Sequence, residues 1–338
     1  MPSKNGFAIA LAWPEYIGKQ TGSWYDPLMR WLGFNKNFHY QVGHAAFILV
    51  YKNSGNCYYF DCGRFHAPYQ YGRIRDASTD SDLAIQTKAL FKKNKISNLE
   101  EILTEVQMNK SFLGQGALHA SYTAVDFNPI QLKAKEFQDK DAVPFGPFVL
   151  NGTNCCRFVR STILAGIPAS GQKLALNYLW PFKPMPITIF NILSNKIIIS
   201  ELNPPNKKTE YFNPITAYNK DNVRGTLPAP IKPNKIPANS QWLGGEVAGS
   251  WFNLKQMGNE YIVTRYSAEG EKECEGVFIP AIKNQLDTNK PYRFTYLSHC
   301  EKVTIEQDNK LLVLLKKEKK EVPPMTESKY FPKEVSAQ

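Results

Sequence analysis

The chain lacks any long apolar run. Nothing in its 338 residues approaches the ~18–20 consecutive apolar positions of a membrane span, so no integral membrane contact is expected. The one apolar stretch near the N-terminus, Phe7 to Trp13, is too short for a signal-peptide core, and no small-residue cleavage site follows it. A cytoplasmic location is the expectation. Cysteine is also scarce. Cys57, Cys62, Cys155, Cys156, Cys274 and Cys300 are far too sparse for a disulfide-stapled scaffold, which is small and dense in cysteine. Helix-turn-helix, RNP and zinc-finger signatures are absent as well. The net charge of +11 therefore has nothing to aim it at bases, and its dispersed pieces, such as Lys92-Lys93-Asn94-Lys95 and Lys207-Lys208, read as solvated surface. No nucleic-acid partner is expected. Internal repeats are missing too. What is present, 43% hydrophobic and 13% aromatic residues, is enough for folded cores and excludes global disorder.

The coarse pattern predicts two folded units. Phe7–Ala12 reads as a strand and Pro27–Leu32 as a short helix. Ala45–Tyr51 and Cys57–Cys62 flank the turn residues Asn53-Ser54-Gly55 and read as a hairpin. A polar loop from Gly63 to Asp80 follows. Helices are expected over Ser81–Lys93 and over Leu99–Met108, the latter opened by a capping box from Ser97 to Glu100. Ala117–Phe127 reads as a strand, and a helix begins at Asn128-Pro129. Another helix spans Cys155–Leu164, closed by Gly166 and Pro168. Proline then dominates from Asn203 to Pro237, which marks a linker or arm. Beyond it, Gly249–Gln256, Glu260–Tyr266, Gly276–Pro280, Arg293–Ser298, Lys302–Gln307 and Leu311–Lys316 read as strands with no helix between them. The expected division is a catalytic domain over 1–202, a linker over 203–237, an antiparallel β domain over 238–318 and a charged, disordered tail over 319–338.

Two short segments carry the chemistry: Gly43-His44-Ala45-Ala46 at a strand start and Asn154-Cys155-Cys156-Arg157-Phe158-Val159 at a helix start. A cysteine attacks as thiolate, so it needs a setting that lowers an ordinary pKa of about 8.5. A helix N-terminus does so through its dipole and unpaired N–H groups, and a nearby imidazole supplies the proton acceptor. Asp61, on the strand paired with that of His44, is the candidate third member. Its placement depends on register. Paired positions summing to an odd number put Asp61 diagonal to His44 on one face, and an even sum sends it to the other. Cys156 competes with Cys155, but it lies about 100° further round the helix, so both thiols cannot face His44. The N-terminal position favours Cys155, and the other five cysteines are expected to be bystanders, with Cys156 packed into the sheet.

These segments resemble the circularly permuted papain-like proteins, which include permuted NlpC/P60-type peptidases and amidases and the acyltransferases similar to lecithin:retinol acyltransferase. The chain order, His44 before Cys155, is what the permutation requires, and Asn154-Cys155-Cys156-Arg157-Phe158-Val159 matches the Asn-Cys-x-x-Phe-Val motif. The acyltransferases more often carry a second His where this chain has Asp61. The resemblance covers residues 40–166 and a bacterial branch. It implies an α+β fold with an antiparallel sheet and helices, to which the small all-β domain is appended. The implied function is a thiol-dependent hydrolase or transferase acting on an amide (peptide-like, cell-wall-type), ester or thioester through Cys155, His44 and Asp61. The competing reading is an inactive papain-like frame whose β domain binds a partner.

Weaker candidates are Arg64, Arg73 and Arg75, suited to a substrate carboxylate but equally able to pair with Asp76, Asp80 and Asp82, together with His119 and Tyr122. Trp242, Trp251 and Phe252 would form either a ligand face or the core of the β domain. Cys57, Cys62 and His66 have zinc-ligand types, but five residues on one strand separate the two thiols onto opposite faces. No metal or organic cofactor is expected, and the partner is a peptide-like or acyl small-molecule substrate.

Overall fold

The computed structural model describes residues 4–19, 23–36, 39–112, 114–149, 151–167, 171–178, 185–200, 227–282 and 286–317. Most of the expected linker and all of the expected tail lie outside these residues.

The first unit is a seven-stranded antiparallel sheet with helices on both faces. Its main strands are β1 (Gly6–Trp13), β2 (His44–Tyr51), β3 (Cys57–Gly63), β4 (Tyr71–Arg75), β5 (Leu118–Val125), β6 (Val143–Pro144) and β7 (Ile197–Ile199), in the spatial order β6-β4-β3-β2-β1-β5-β7. The alternation within β1 explains why two helical layers form. Phe7, Ile9, Leu11 and Trp13 point to one face, where they meet Ile102, Leu103 and Val106 of helix α1 (Leu99–Met108). Ala8 and Ala10 point to the other, where small side chains let larger ones pack close. That second layer holds α2 (Phe127–Gln138), α3 (Cys155–Gly166) and α4 (Pro186–Ile192), with Ile130, Phe158, Val159, Ile163 and Ile189 turned inward.

The second unit is all β: β8 (Gln241–Gly244), β9 (Gly249–Met257), β10 (Glu260–Tyr266), β11 (Lys272–Pro280), β12 (Arg293–Thr295), β13 (Lys302–Gln307) and β14 (Lys310–Lys316). The order is β8-β9-β10-β11-β14-β13-β12. The two edge strands meet through Gln241, whose side-chain amide donates to Tyr292 O at 3.0 Å and accepts from Phe294 N at 3.0 Å. One side chain thus replaces a missing ladder pair, and the sheet curls into a barrel-like shape around Phe252, Tyr261, Phe278 and Ile305. Among the described residues, no helix is long and apolar enough to cross a membrane.

Four expectations are corrected. Ser81–Lys93 is not a helix. A single 3-10 turn covers Ser81–Leu83, 84–90 has no regular structure, and Phe91–Lys92 is a short strand that leads into a turn. The reason lies in its N–H groups, which bond to distant acceptors: Gln86 and Thr87 to the Glu105 carboxylate, Ala89 to Gly55 O, and Leu90 to Asn98 Oδ1. Non-local bonds satisfied the backbone before a helix was needed. The Gly63–Asp80 loop contains a strand, β4, paired to β3 with Asp61 opposite Arg75. The capping box is not formed. Asn98, not Ser97, stands at the N-cap of α1 and makes no side-chain cap bond, its amide N–H donating instead to Glu101 Oε2 at 3.2 Å. Finally, Cys274 and Cys300, expected to be mere bystanders, form a disulfide.

Candidate active site

His44 opens β2 after Gly43, whose φ of +66° belongs to the left-handed region that favours glycine. A Cβ there would also press on Pro186 Cγ at 2.9 Å, so position 43 is restricted twice over. The turn is held by Tyr16 O, which accepts from Val42 N and Gly43 N. The imidazole is packed on one side by the Trp13 ring, stacked at 5.7 Å, and approached by the Tyr16 ring at 5.5 Å. Trp13 is itself fixed by its indole N–H, which donates to Gln107 Oε1 at 3.0 Å.

The β2–β3 register pairs Ala46 with Asp61, an odd sum, so Asp61 and His44 share a face. Asp61 is fully buried, with Oδ2 at 3.9 Å from His44 Nε2. Its stronger partners are Arg75, donating from Nε to Oδ1 at 3.0 Å and from Nη2 to Oδ2 at 2.6 Å, and Tyr59, donating its hydroxyl to Oδ2 at 3.0 Å. His44 Nε2 is buried without a hydrogen bond and faces this clamped carboxylate.

The thiol arrives from the opposite helical layer. Asn154 caps α3, its side chain accepting from Arg157 N at 2.9 Å, and this places Cys155 at the first turn. The preceding loop is tied down by the Arg157 guanidinium, which donates to Val149 O and Pro147 O. Cys155 is half-buried, whereas Cys156 is buried beneath it, the sulfurs 3.9 Å apart. The Cys155 thiol is held well below its ordinary value. A hydrogen bond from Cys156 is the largest cause, burial opposes it, and the hydrogen bond and charge of His44 with the Ala45 backbone complete the lowering. Cys156 moves the other way, raised by burial and by the neighbouring thiolate. Burial also pushes Cys57 up to about 12 and Cys62 well above its ordinary value. One thiol of the four free ones is thus set apart electrostatically.

The remaining candidates go elsewhere. Arg64, Arg73 and Arg75 are all buried and paired, with Glu246, Asp80 and Asp61 respectively, so none offers a free fork to a substrate carboxylate. Tyr122 is core, its ring edge-on to Phe7 at 5.5 Å. His119 pairs with Ala12 while His44 pairs with Trp13, which puts the two imidazoles on opposite faces of the sheet. The His119 ring packs edge-on to Phe190. Phe252 belongs to the barrel interior, whereas Trp251, its neighbour on β9, points to the other face and packs against Trp242 with ring centroids 5.3 Å apart. Cys57 and Cys62 lie in the two opposite core layers, and His66 Nε2 is bonded to Ser250 Oγ at 2.9 Å, so these three do not converge. Tyr16 against the His44 ring, and Tyr59 and Arg75 as the clamp on Asp61, were not visible in the sequence. Only the i, i+2 spacing of Tyr59 and Asp61 hinted that the two share a face.

Residues 8–171 match a family described as type VI secretion system effector TseH-like. Residues 240–317 match a second, the DUF6695 C-terminal domain. A solved structure titled as the crystal structure of the type VI secretion system effector TseH aligns at 18% identity with a TM-score of 0.38, covering 59% of this chain and 95% of that one. No curated protein matches the chain. The TseH-like match begins within β1 and includes His44, Asp61 and Cys155, and the all-β unit lies outside it.

Proposed function

We infer that the chain is a thiol hydrolase or transferase of the permuted papain-like type, acting on an amide, ester or thioester carbonyl, with peptide-like and cell-wall-type amides as the first substrate class. The observation that carries this reading is the Cys155 thiol, placed at a helix N-terminus and lowered by Cys156 and by His44, whose imidazole faces a buried carboxylate. The Cys155 thiolate attacks the carbonyl carbon, and the C–S bond forms as the carbonyl electron pair moves to oxygen. The Cys155 backbone N–H, together with a neighbouring donor, stabilises that oxyanion. The His44 imidazolium gives its proton to the leaving amine or alcohol as that bond breaks. His44 then takes a proton from water, or from an acceptor hydroxyl or amine, whose attack on the thioester carbonyl breaks the C–S bond, releases the product and restores the Cys155 thiolate beside the His44 imidazolium. Asp61 orients the ring, as the third residue of a triad does.

The TseH-like match supports an effector role, and the Cys274–Cys300 disulfide supports action in a compartment where disulfides persist. A cytoplasmic location then applies to synthesis.

The test is iodoacetamide labelling mapped by mass spectrometry across pH. A lowered pKa keeps thiolate present as pH falls, so Cys155 should label below neutral pH, while Cys57, Cys62 and Cys156 should need alkaline conditions. His44→Ala should abolish the low-pH labelling. Equal labelling with and without His44 would instead favour the inactive binding frame.

A further inference from the structure

The mechanism leaves several buried charges unused, and they form a continuous chain between the two units. Asp80 is buried and gripped twice. Arg73 from β4 donates to both its oxygens at 2.7 and 2.8 Å, and Arg265 from β10 of the barrel donates to Oδ1 at 2.8 Å. Arg73 Nε donates at 2.7 Å to Phe65 O. Phe65 also forms a parallel bridge with Ala248, so its backbone is paired with the barrel. Its ring lies under the Arg75 guanidinium, 3.6 Å from Cζ to the ring centroid. Arg75 in turn clamps Asp61, and Asp61 faces His44. The path runs through contacts from Arg265 to Asp80, Arg73, Phe65, Arg75 and Asp61, and Asp61 Oδ2 then faces His44 Nε2 at 3.9 Å. Two more ties brace the same segment: Arg64 to Glu246, and His66 to Ser250.

We propose that the C-terminal barrel is part of the positioning apparatus of the Cys155–His44 site, with Phe65 and Arg75 as positioning residues that transmit the barrel's grip to Asp61. Physically, a carboxylate that must hold an imidazole in one orientation has to be immobile itself. Arg75 immobilises it, but a guanidinium on a strand near the sheet edge needs its own backing. Phe65 provides that backing through cation–π contact, and the barrel fixes Phe65 through its backbone. The barrel therefore does not swing as a separate recognition module while the site works. This proposal rests on the thiol-site reading above.

The test uses the full chain as five proteins: the wild type, Cys155→Ala as the absorbance reference, His44→Ala, Phe65→Leu and Arg265→Lys. The readouts are the ultraviolet absorbance of the Cys155 thiolate, taken against Cys155→Ala, the rate of Cys155 alkylation below neutral pH, and thermal melting. Phe65→Leu keeps an apolar group but removes the ring, and Arg265→Lys keeps the charge but loses the fork. Both should lose thiolate absorbance and alkylate about tenfold more slowly, the change in thiolate fraction that one pKa unit produces. A folded Arg265→Lys protein with wild-type absorbance and rate, even with a lowered melting temperature, overturns the proposal, because a purely structural seam would change stability alone. If Phe65→Leu fails to fold, Arg265→Lys decides. Should His44→Ala alkylate as fast as the wild type, the thiol-site reading itself fails, an outcome distinct from failure of the positioning chain.

Discussion

Asp61 and Asp80 invite comparison because both are buried carboxylates held by arginines of the same strand, Arg75 and Arg73. Asp80 receives two guanidinium groups and the Thr79 hydroxyl at 2.9 Å, one of those arginines coming from the barrel. Burial alone would raise its pKa, but Arg73 and Arg265 outweigh that and hold it well below the ordinary carboxylate range. Asp61 receives one guanidinium and one phenol, and its remaining approach is toward His44 at 3.9 Å. The difference separates a lock from a tool. A carboxylate whose acceptor capacity is filled by fixed cations can only join two pieces of structure. One left with an open side toward an imidazole can influence a proton.

The strongest way to break the comparison is at the Cys155 thiol, on the Asp61 side of it. Cys155→Ala should cost on the order of 10³-fold or more in turnover of any substrate found, or in activity-probe labelling, with melting nearly unchanged. Retained labelling elsewhere in the chain would move the nucleophile. Next comes the lock. Asp80→Ala leaves Arg73 and Arg265 buried without their shared partner and should destabilise the protein by about 3–5 kcal/mol in denaturant titrations. The same group predicts acid behaviour. Its folded pKa is depressed, so its contribution is complete above the ordinary value of 3.8 and fades as pH falls below that toward the folded value. Acid unfolding monitored by fluorescence should therefore shift to higher pH in Asp80→Ala.

A third measurement concerns the disulfide beside the seam, where Cys300 N donates to Thr79 O at 2.9 Å. The bridge spans a sequence separation of 26, and Cys274→Ser with Cys300→Ser should lower stability by roughly 3 kcal/mol, from the freed unfolded chain. The smallest expected effect is the sharpest discriminator between neighbouring thiols. Cys156→Ala should leave Cys155 reactive but raise its apparent pKa, because the Cys156 thiol is the largest cause of its lowering. Labelling should then fall a few-fold below neutral pH and recover as pH rises.

How far the sequence reached can be judged residue by residue. The helix start at Asn154-Cys155 was legible because a side-chain cap is a local event. The hairpin was legible too, but not its parity. The turn decided that: Gly55 at φ +72° donates its N–H to Tyr51 O, Tyr51 N bonds Asn56 O, and Val50 comes to face Cys57. The helix expected over Ser81–Lys93 failed for the reverse reason, since Gly55, Asn98 and Glu105 are remote acceptors that no window of sequence reveals. The arginines were legible as partners for carboxylates, and the structure chose internal ones.

The opening scarcity of cysteine holds its meaning against a stapled scaffold, though two of the six form one bridge. By itself the sequence determined the strands and helices whose periodicity and caps are local, the all-β character of the C-terminal unit, and the pairing of a His strand start with a Cys helix start. The tertiary structure alone decided which face Asp61 occupies, which thiol is lowered and which arginine serves which carboxylate. Those choices depend on register, burial and charge brought together across many residues, and electrostatic energies are set by distances in space rather than along the chain.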